Sequence, residues 1–530
     1  MSVLDPLTDG HQLEARPHGA RLGPIEDWAR QHPLAFCSVL SVVLGALSCA
    51  IWTPVPGFDV QSWINWGWSA SHPQMGGFLI RGGPSWKPLP VAFTTFYGLF
   101  GQAAPTLWAI TARAGGILGL AGVFRLSFEL TDRAGLPRRW GWVAGVVGCA
   151  GLIMTAPNID ANWVHNFFRE TVEPGMIAAW LWAIDAILRR RHLLAYTLVA
   201  ALGLMRPEAW VFLFAYGVWL WFTHPRMRVW VVICLIAQPA AWFLPPGLST
   251  GHPLMAATNA HSFNGQLGQH WLRALLLRAY RLQSLPTLAF AAVATVAALW
   301  RQRRNLAFWR ASRRQALTRS RDNLTLSLAV LGFAWFLIVV AETAAGYPGL
   351  QRFFYPTMAT ACVLSGLGFV ELAAFAGRTA GRIDRRRASV AAVGVAAALA
   401  AASYPFISGR LAFARIQKTQ VEIEHTQMHD LSVAISALGG TRALLPCRFS
   451  YVDINNTFRP QLAWAMGINM PRVRALHTPG VVFLTRYTLY DGKMNPFGPG
   501  LRYRHYLGRW GDWSVYQVYR NGPKPACLGN

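Results

Sequence analysis

Ionisable side chains are scarce in this sequence, and those between its long apolar stretches fall at specific places. Asp59 lies in Pro56-Gly57-Phe58-Asp59-Val60, directly after the first apolar stretch, and Lys87 in Trp86-Lys87-Pro88-Leu89-Pro90. Asp160 follows Asn158-Ile159, and Arg169, Glu170 and Glu173 share Phe168-Arg169-Glu170-Thr171-Val172-Glu173. Arg206 and Glu208 form an Arg-Pro-Glu turn, and Glu342 and Arg352 bracket a later loop, the latter in Gln351-Arg352-Phe353-Phe354-Tyr355-Pro356. Arg forms paired hydrogen bonds to phosphate oxygens and Lys adds a point charge. A carboxylate within reach can take the proton of an incoming hydroxyl. Together they fit transfer of a group from a phosphate-bearing lipid to an alcohol, the cations stabilising the departing phosphate. On this reading Asp59 is the catalytic base, Lys87 and Arg352 hold the phosphate with Arg169 as a weaker third, and Asp160, Glu170, Glu173, Arg206 and Glu342 support them.

Each residue also has a plainer role. Asp59 could mark a helix end at the interface, and Lys87 and Arg352 could snorkel to headgroups. Arg169, Glu170 and Glu173 could form a salt-bridge set holding their loop, and Arg206 with Glu208 could pin a helical turn.

The elements that must position these residues follow from composition. The chain has 530 residues, 53% of them hydrophobic and only 14% charged, against about 25% charged in soluble proteins. Repeated apolar stretches near the ~20 residues needed to cross a bilayer mark a polytopic α-helical membrane protein. Lys and Arg number 49 against 23 Asp and Glu. The Arg residues cluster in short loops, which retains those loops in the cytoplasm, and no continuous basic face for nucleic acid is visible.

Residues 1–33 read as a cytoplasmic tail and 34–405 as the transmembrane domain, with a long first outer loop over 55–106. Eleven spans are expected, near 34–54, 107–130, 140–156, 173–188, 193–205, 209–222, 229–245, 285–300, 325–342, 353–376 and 389–405. Residues 88–101 are read as an interfacial helix. Counting them as a span would move the Arg-rich runs at 133–139, 189–191, 301–321 and 378–387 outside, against the positive-inside rule. The N-terminus is then cytoplasmic and the C-terminus extracytoplasmic, in the plasma (inner) membrane. Arg273, Arg278 and Arg281 fall outside on an amphipathic helix, where anionic headgroups are their expected neighbours.

Residues 406–530 are expected to form a small extracytoplasmic α+β domain. Met428, Leu431, Ile435 and Leu438 repeat at helical spacing, and stretches such as Val481-Val482-Phe483-Leu484 suggest strands. Cys447 and Cys527 would share an oxidising compartment, so a disulfide and two free thiols are both open. A metal site needs several carboxylates or His together. His425 and His429, at i and i+4 on an exposed helix, are read as solvated. No metal or other cofactor is assigned, and a divalent metal is without support.

The order of these features resembles the GT-C glycosyltransferase superfamily of polyprenyl-phosphate-sugar-dependent membrane enzymes, among them protein O-mannosyltransferases, the lipid A aminoarabinose transferase and mycobacterial arabinofuranosyltransferases. Asp59 matches the catalytic acid that follows the first span in that family. Lys87-Pro88-Leu89-Pro90 is similar to its Lys-Pro-Pro-Leu or His-Pro-Pro-Leu element before a juxtamembrane helix. Arg113 matches an Arg opening the second span, and Arg352 to Pro356 an Arg-aromatic-Pro stretch late in the bundle. Val60 departs from the pattern, which often has a second acid there, and this leaves the identity of the base and any metal requirement open.

The resemblance implies a GT-C-like bundle that moves a sugar from a polyprenyl-phosphate donor to a hydroxyl on a glycan, lipid or protein, in cell-envelope glycan assembly. Membrane lipids are the other expected partners, and nucleic acid is not one. The competing readings are a secondary transporter, for which internal repeats would be the mark, and a non-catalytic scaffold presenting residues 406–530. The first lacks the repeats. The second leaves the set Asp59, Lys87 and Arg352 without a purpose.

Overall fold

Each of the eleven expected spans is a helix in the computed structural model, which describes residues 24–72, 78–81, 83–261, 270–309, 321–382, 384–446, 450–475, 480–485 and 503–519. Among the described residues, six helices are long and apolar enough to cross a membrane: Pro33–Ile51, Gly101–Arg133, Pro225–Thr250, Asp322–Ala344, Gln351–Gly381 and Arg387–Ala437. A bent pair, Trp271–Leu282 and Leu285–Arg303, turns through 91° and makes a seventh if counted as one. Arg138–Ile153, Val172–Leu188, His192–Met205 and Trp210–Thr223 are only 14 to 17 residues long. At about 1.5 Å per residue they fall short of a ~30 Å hydrocarbon core.

Two short helices lie between the first two long ones. Phe58–Ser71 and Pro88–Gly98 pack on each other, with Thr94 donating to the Trp63 carbonyl at 2.8 Å. At 11 residues, Pro88–Gly98 is half the length of a span. Trp63, Ile64 and Trp66 on the first helix are almost fully buried and join the main core. Trp63, Trp66 and the nearby Trp86, at most 4% exposed, therefore serve packing.

The last apolar stretch does not stop at 405. Arg385–Ala437 is one helix of 53 residues with Pro405 inside it, so position 406 falls within an unbroken element. Arg410 secures it near that point, donating to the carbonyls of Met154, Arg281, Leu282 and Gln283. These are carbonyls at helix ends, which have no partner within their own helix.

Beyond it lies a five-stranded mixed sheet: β1 (Val452–Ile454), β2 (Val473–Ala475), β3 (Gly480–Thr485), β4 (Tyr503–Trp510) and β5 (Trp513–Tyr519), in the order β2-β1-β3-β5-β4. β1 runs parallel to β2 and β3, while β5 is antiparallel to β3 and β4. Its buried residues Val452, Phe483, Trp513 and Val515 are continuous with the core that holds Trp63 and Trp108. The sheet is thus packed into the same body as the bundle. Cys447 and Cys527 lie outside the described residues, as do residues 1–23.

Candidate active site

Proline places the cations. Lys87 caps the Pro88–Gly98 helix in an extended conformation, φ −136° and ψ 113°, and Arg206 ends His192–Met205 in another, φ −147° and ψ 121°. Both precede a proline, which disfavours helical backbone at the residue before it. Each long cationic side chain therefore leaves the chain at a break between helices. Arg352 sits in the short 3₁₀ turn Gln351–Phe354, with Pro356 opening the helix that follows. The acids come from helix starts: Asp59 and Glu173 both lie in a first turn, where the positive end of the helix dipole favours a carboxylate.

These breaks converge on Glu173. Its Oε1 accepts from Arg206 Nη2 at 2.8 Å and from Lys87 Nζ at 3.4 Å, and Arg352 Nε stands 4.0 Å away. Arg352 Nη1 reaches Asp59 Oδ2 at 3.2 Å. Arg206 also faces Glu208 Oε1 at 3.6 Å. The Lys87 ammonium lies 5.1 Å from the Trp63 ring centre, and the Arg206 guanidinium 4.1 Å from that of Phe353. Glu173 and Arg206 are buried, whereas the side chains of Asp59 and Arg352 keep 24% and 23% exposure and so meet solvent. Burial, reinforced by the nearby Arg206 charge, pushes the Lys87 ammonium down to about 8.

Beside Lys87 and Arg206 a cavity of about 260 Å³ opens, lined further by Glu208, Glu342, Trp86, Trp210, Trp242 and Phe353 among others. Among the described residues no three His, Cys, Asp or Glu side chains gather closely enough to hold a metal ion.

The structure brings Asp59, Lys87, Glu173, Arg206 and Arg352 into one network and places Glu342 on the adjoining cavity. Asp160 is exposed. Glu170 is turned away to a fully buried pair with Arg113 at 2.8 Å. Arg113 is spent there, donating also to the carbonyls of Ser48 and Trp52. Glu170 adopts φ +53°, a left-handed conformation unusual for a side-chain-bearing residue. Its carbonyl is held by Trp108 Nε1 at 3.0 Å.

Arg169 pairs through both terminal nitrogens with Glu424 on the long C-terminal helix. Its carbonyl accepts from Gly57 N at 3.3 Å, two residues before Asp59. The Pro56 carbonyl, on the same turn, accepts from Gln461 at 3.2 Å, and Asn65 donates to the Pro460 carbonyl at 2.8 Å. The amphipathic helix Trp271–Leu282 uses Arg278 on the carbonyls of Pro348 and Gly349, just before Arg352.

Residue chemistry does not single out Trp63, Phe353, Glu424 or Gln461. The first two are aromatics in aromatic-rich segments, and the last two touch the site only through distant folding. Glu208 is visible in its Arg-Pro-Glu turn, where a structural role is the expected one.

No family model matches the sequence, and no curated protein matches it. Among solved structures, the chain is similar to ArnT from Cupriavidus metallidurans in the apo state, at 13% identity and a TM-score of 0.49, over 94% of this chain and 100% of that one. The same protein bound to undecaprenyl phosphate gives 14% identity and a TM-score of 0.47, over 93% and 99% of the two chains.

Proposed function

We propose that this chain is a membrane glycosyltransferase that moves a sugar from a polyprenyl-phosphate donor to a hydroxyl acceptor on the extracytoplasmic face, in cell-envelope glycan assembly. The observation that carries this reading is the convergence of Lys87, Arg206 and Arg352 beside the part-exposed carboxylate of Asp59. Lys87, Arg206 and Arg352 gather at one buried carboxylate, and such a set of Arg and Lys donors suits the oxygens of a phosphate diester.

On donor binding, Lys87 and Arg352 turn part of their hydrogen bonding from Glu173 and Asp59 to the phosphate oxygens. Asp59 then takes the proton of the acceptor hydroxyl as its oxygen bonds to the anomeric carbon. The bond from that carbon to the phosphate oxygen breaks, and the electron pair leaves on the phosphate, whose charge Lys87, Arg352 and Arg206 stabilise. Glu173 holds the cations in place when no donor is present.

The test is incubation of the purified protein with a panel of polyprenyl-phosphate-linked sugars and candidate acceptors. Release of polyprenyl phosphate that depends on both substrates supports the reading. Its absence across the panel, with correctly folded protein that binds no polyprenyl phosphate, removes it.

A further inference from the structure

The cavity beside Lys87 and Arg206 is lined mostly by apolar residues and also by two acids. Its walls include Trp86, Trp210, Trp242 and Phe353, yet two carboxylates, Glu208 and Glu342, also line it. Glu208 is only 3% exposed, and its Oε2 is buried with no hydrogen-bond partner among the described residues. Its other oxygen is 3.6 Å from Arg206, beyond a good hydrogen bond. Glu342 lies close enough for the charges of Glu208 and Arg206 to act on it. A buried carboxylate oxygen left unpaired is costly, so such groups ordinarily have partners. An isoprenoid chain in this cavity would offer none and would remove water as well.

We infer that this cavity is the glycosyl pocket of the donor, with Glu208 and Glu342 accepting hydrogen bonds from a single sugar ring that presents hydrogen-bond donors and carries no carboxylate. The inference rests on the proposed transferase reading and adds to it the class of sugar. At about 260 Å³ the cavity lies just below the ~300–1,000 Å³ of ordinary ligand pockets, which fits one ring and not a longer saccharide. Its aromatic faces suit the C–H surface of a ring, while its carboxylates suit the hydroxyls at the ring's edge. Placement follows from shared residues. Lys87 and Arg206 belong to both the phosphate cluster and the cavity wall, and Phe353 adjoins Arg352. A phosphate held by Lys87 and Arg352 would leave the ring body in the cavity that Lys87 and Arg206 line. A uronic acid would set its own carboxylate against the buried Glu208, and like charges at close range are strongly disfavoured.

Binding of two probes to the full-length protein separates the pocket from the phosphate site: undecaprenyl phosphate without sugar, and the same lipid carrying a neutral hexose, a pentose or a uronic acid. Wild type should bind at least one of the uncharged sugar-linked forms more tightly than the bare lipid phosphate, and the uronic acid form no more tightly than it. In Glu208→Gln and in Glu342→Gln, affinity for the preferred sugar-linked form should fall about 10- to 100-fold, the loss of one or two buried hydrogen bonds. Affinity for undecaprenyl phosphate should not fall, since each change removes a carboxylate near the phosphate cations. The two variants are scored separately, with thermal unfolding as a control, so that a folding defect in one leaves the other decisive. Equal losses on both probes would assign the cavity to lipid phosphate, and unchanged binding of every probe in both variants would remove it from the donor site. Wild-type protein that binds neither probe would instead sink the transferase reading itself.

Discussion

Arg352 donates to Asp59 at 3.2 Å through Nη1, while its Nε stands 4.0 Å from Glu173. One guanidinium thus joins the carboxylate proposed as base to the carboxylate around which the cations gather. On the proposed mechanism, donor binding would draw Arg352 toward the phosphate, loosen its hold on Asp59 and free that carboxylate for a proton. Asp59→Asn should therefore keep donor affinity and lower turnover by about 10²- to 10⁴-fold, the usual worth of general-base catalysis. Turnover near wild type in that variant would take Asp59 out of the mechanism.

Lys87 supplies a pH dependence with a definite sign. Its ammonium, held near 8 chiefly by burial, is the form that attracts phosphate. It is present below that value and lost above it. Donor affinity should be level on the acid side and fall as pH rises through 8, by up to about tenfold per unit. Lys87→Arg stays charged throughout and should flatten the profile. Titrating donor binding from neutral to alkaline pH in both proteins checks this, and coincident profiles would deny Lys87 its role. Lys87→Ala and Arg352→Ala should each weaken donor binding more than acceptor binding.

Glu173 is the stability element of the site. It is 1% exposed and faces three cations. Removing one partner of a buried ionic set leaves the others uncompensated, at a cost of about 3–5 kcal/mol. Glu173→Ala should unfold at a clearly lower temperature than wild type, and added undecaprenyl phosphate should recover part of the loss by supplying an anion. A variant as stable as wild type would show that the cations do not depend on Glu173.

Much of this network can be named from residue type, because an ionisable group among apolar stretches has few cheap places to go. Asp59, Lys87, Arg206 and Arg352 are each flanked by Pro or aromatic residues that mark a chain break. Their partners are another matter. Arg169 reads as a phosphate ligand until Glu424 arrives 255 residues later, on a helix where Lys418, Glu422, His425 and His429 alternate with apolar positions and mark no single residue. Glu170 shows the same ambiguity, since nothing near it in sequence announces Arg113. Span counting meets a physical limit too. Trp210–Thr223 is as apolar as any membrane helix but only 14 residues long, and hydropathy records composition rather than reach. The end of the last span is hidden for a similar reason: Pro405 looks like a terminus, yet Arg385–Ala437 continues through it.

The Arg169–Glu424 pair ties the turn that carries Asp59 to the C-terminal helix, since the Arg169 carbonyl also receives Gly57 N. Reversing either charge alone, as in Arg169→Glu or Glu424→Arg, should lower kcat while leaving the donor KM close to wild type. Combining them should restore part of the loss, because the swapped pair can form again. If the double variant were no better than the worse single one, the two residues would not be acting as a pair.

The final expectation concerns the region after the long helix, which we place outside the cell and assign to the acceptor. The helix Arg459–Ala465 rests against Phe58–Ser71, with Gln461 on the Pro56 carbonyl, Asn65 on the Pro460 carbonyl, and Trp464 edge-on to Trp68 at 4.9 Å. A body docked on the helix that carries Asp59 is well placed to border the open side of the site, where an acceptor must enter. Gln461→Ala should lower acceptor kcat/KM and spare donor binding, and removal of 446–530 should do so more severely. If the Arg-rich loops at 131–139 and 378–387 face the cytoplasm, as the positive-inside rule has it, a Cys introduced near the exposed Tyr506 should react with a membrane-impermeant reagent in intact cells. Labelling only after permeabilisation would put the sheet and Asp59 on the cytoplasmic side and reverse the topology. Truncated protein that folds and transfers sugar with unchanged acceptor preference would reduce the sheet to a structural appendage.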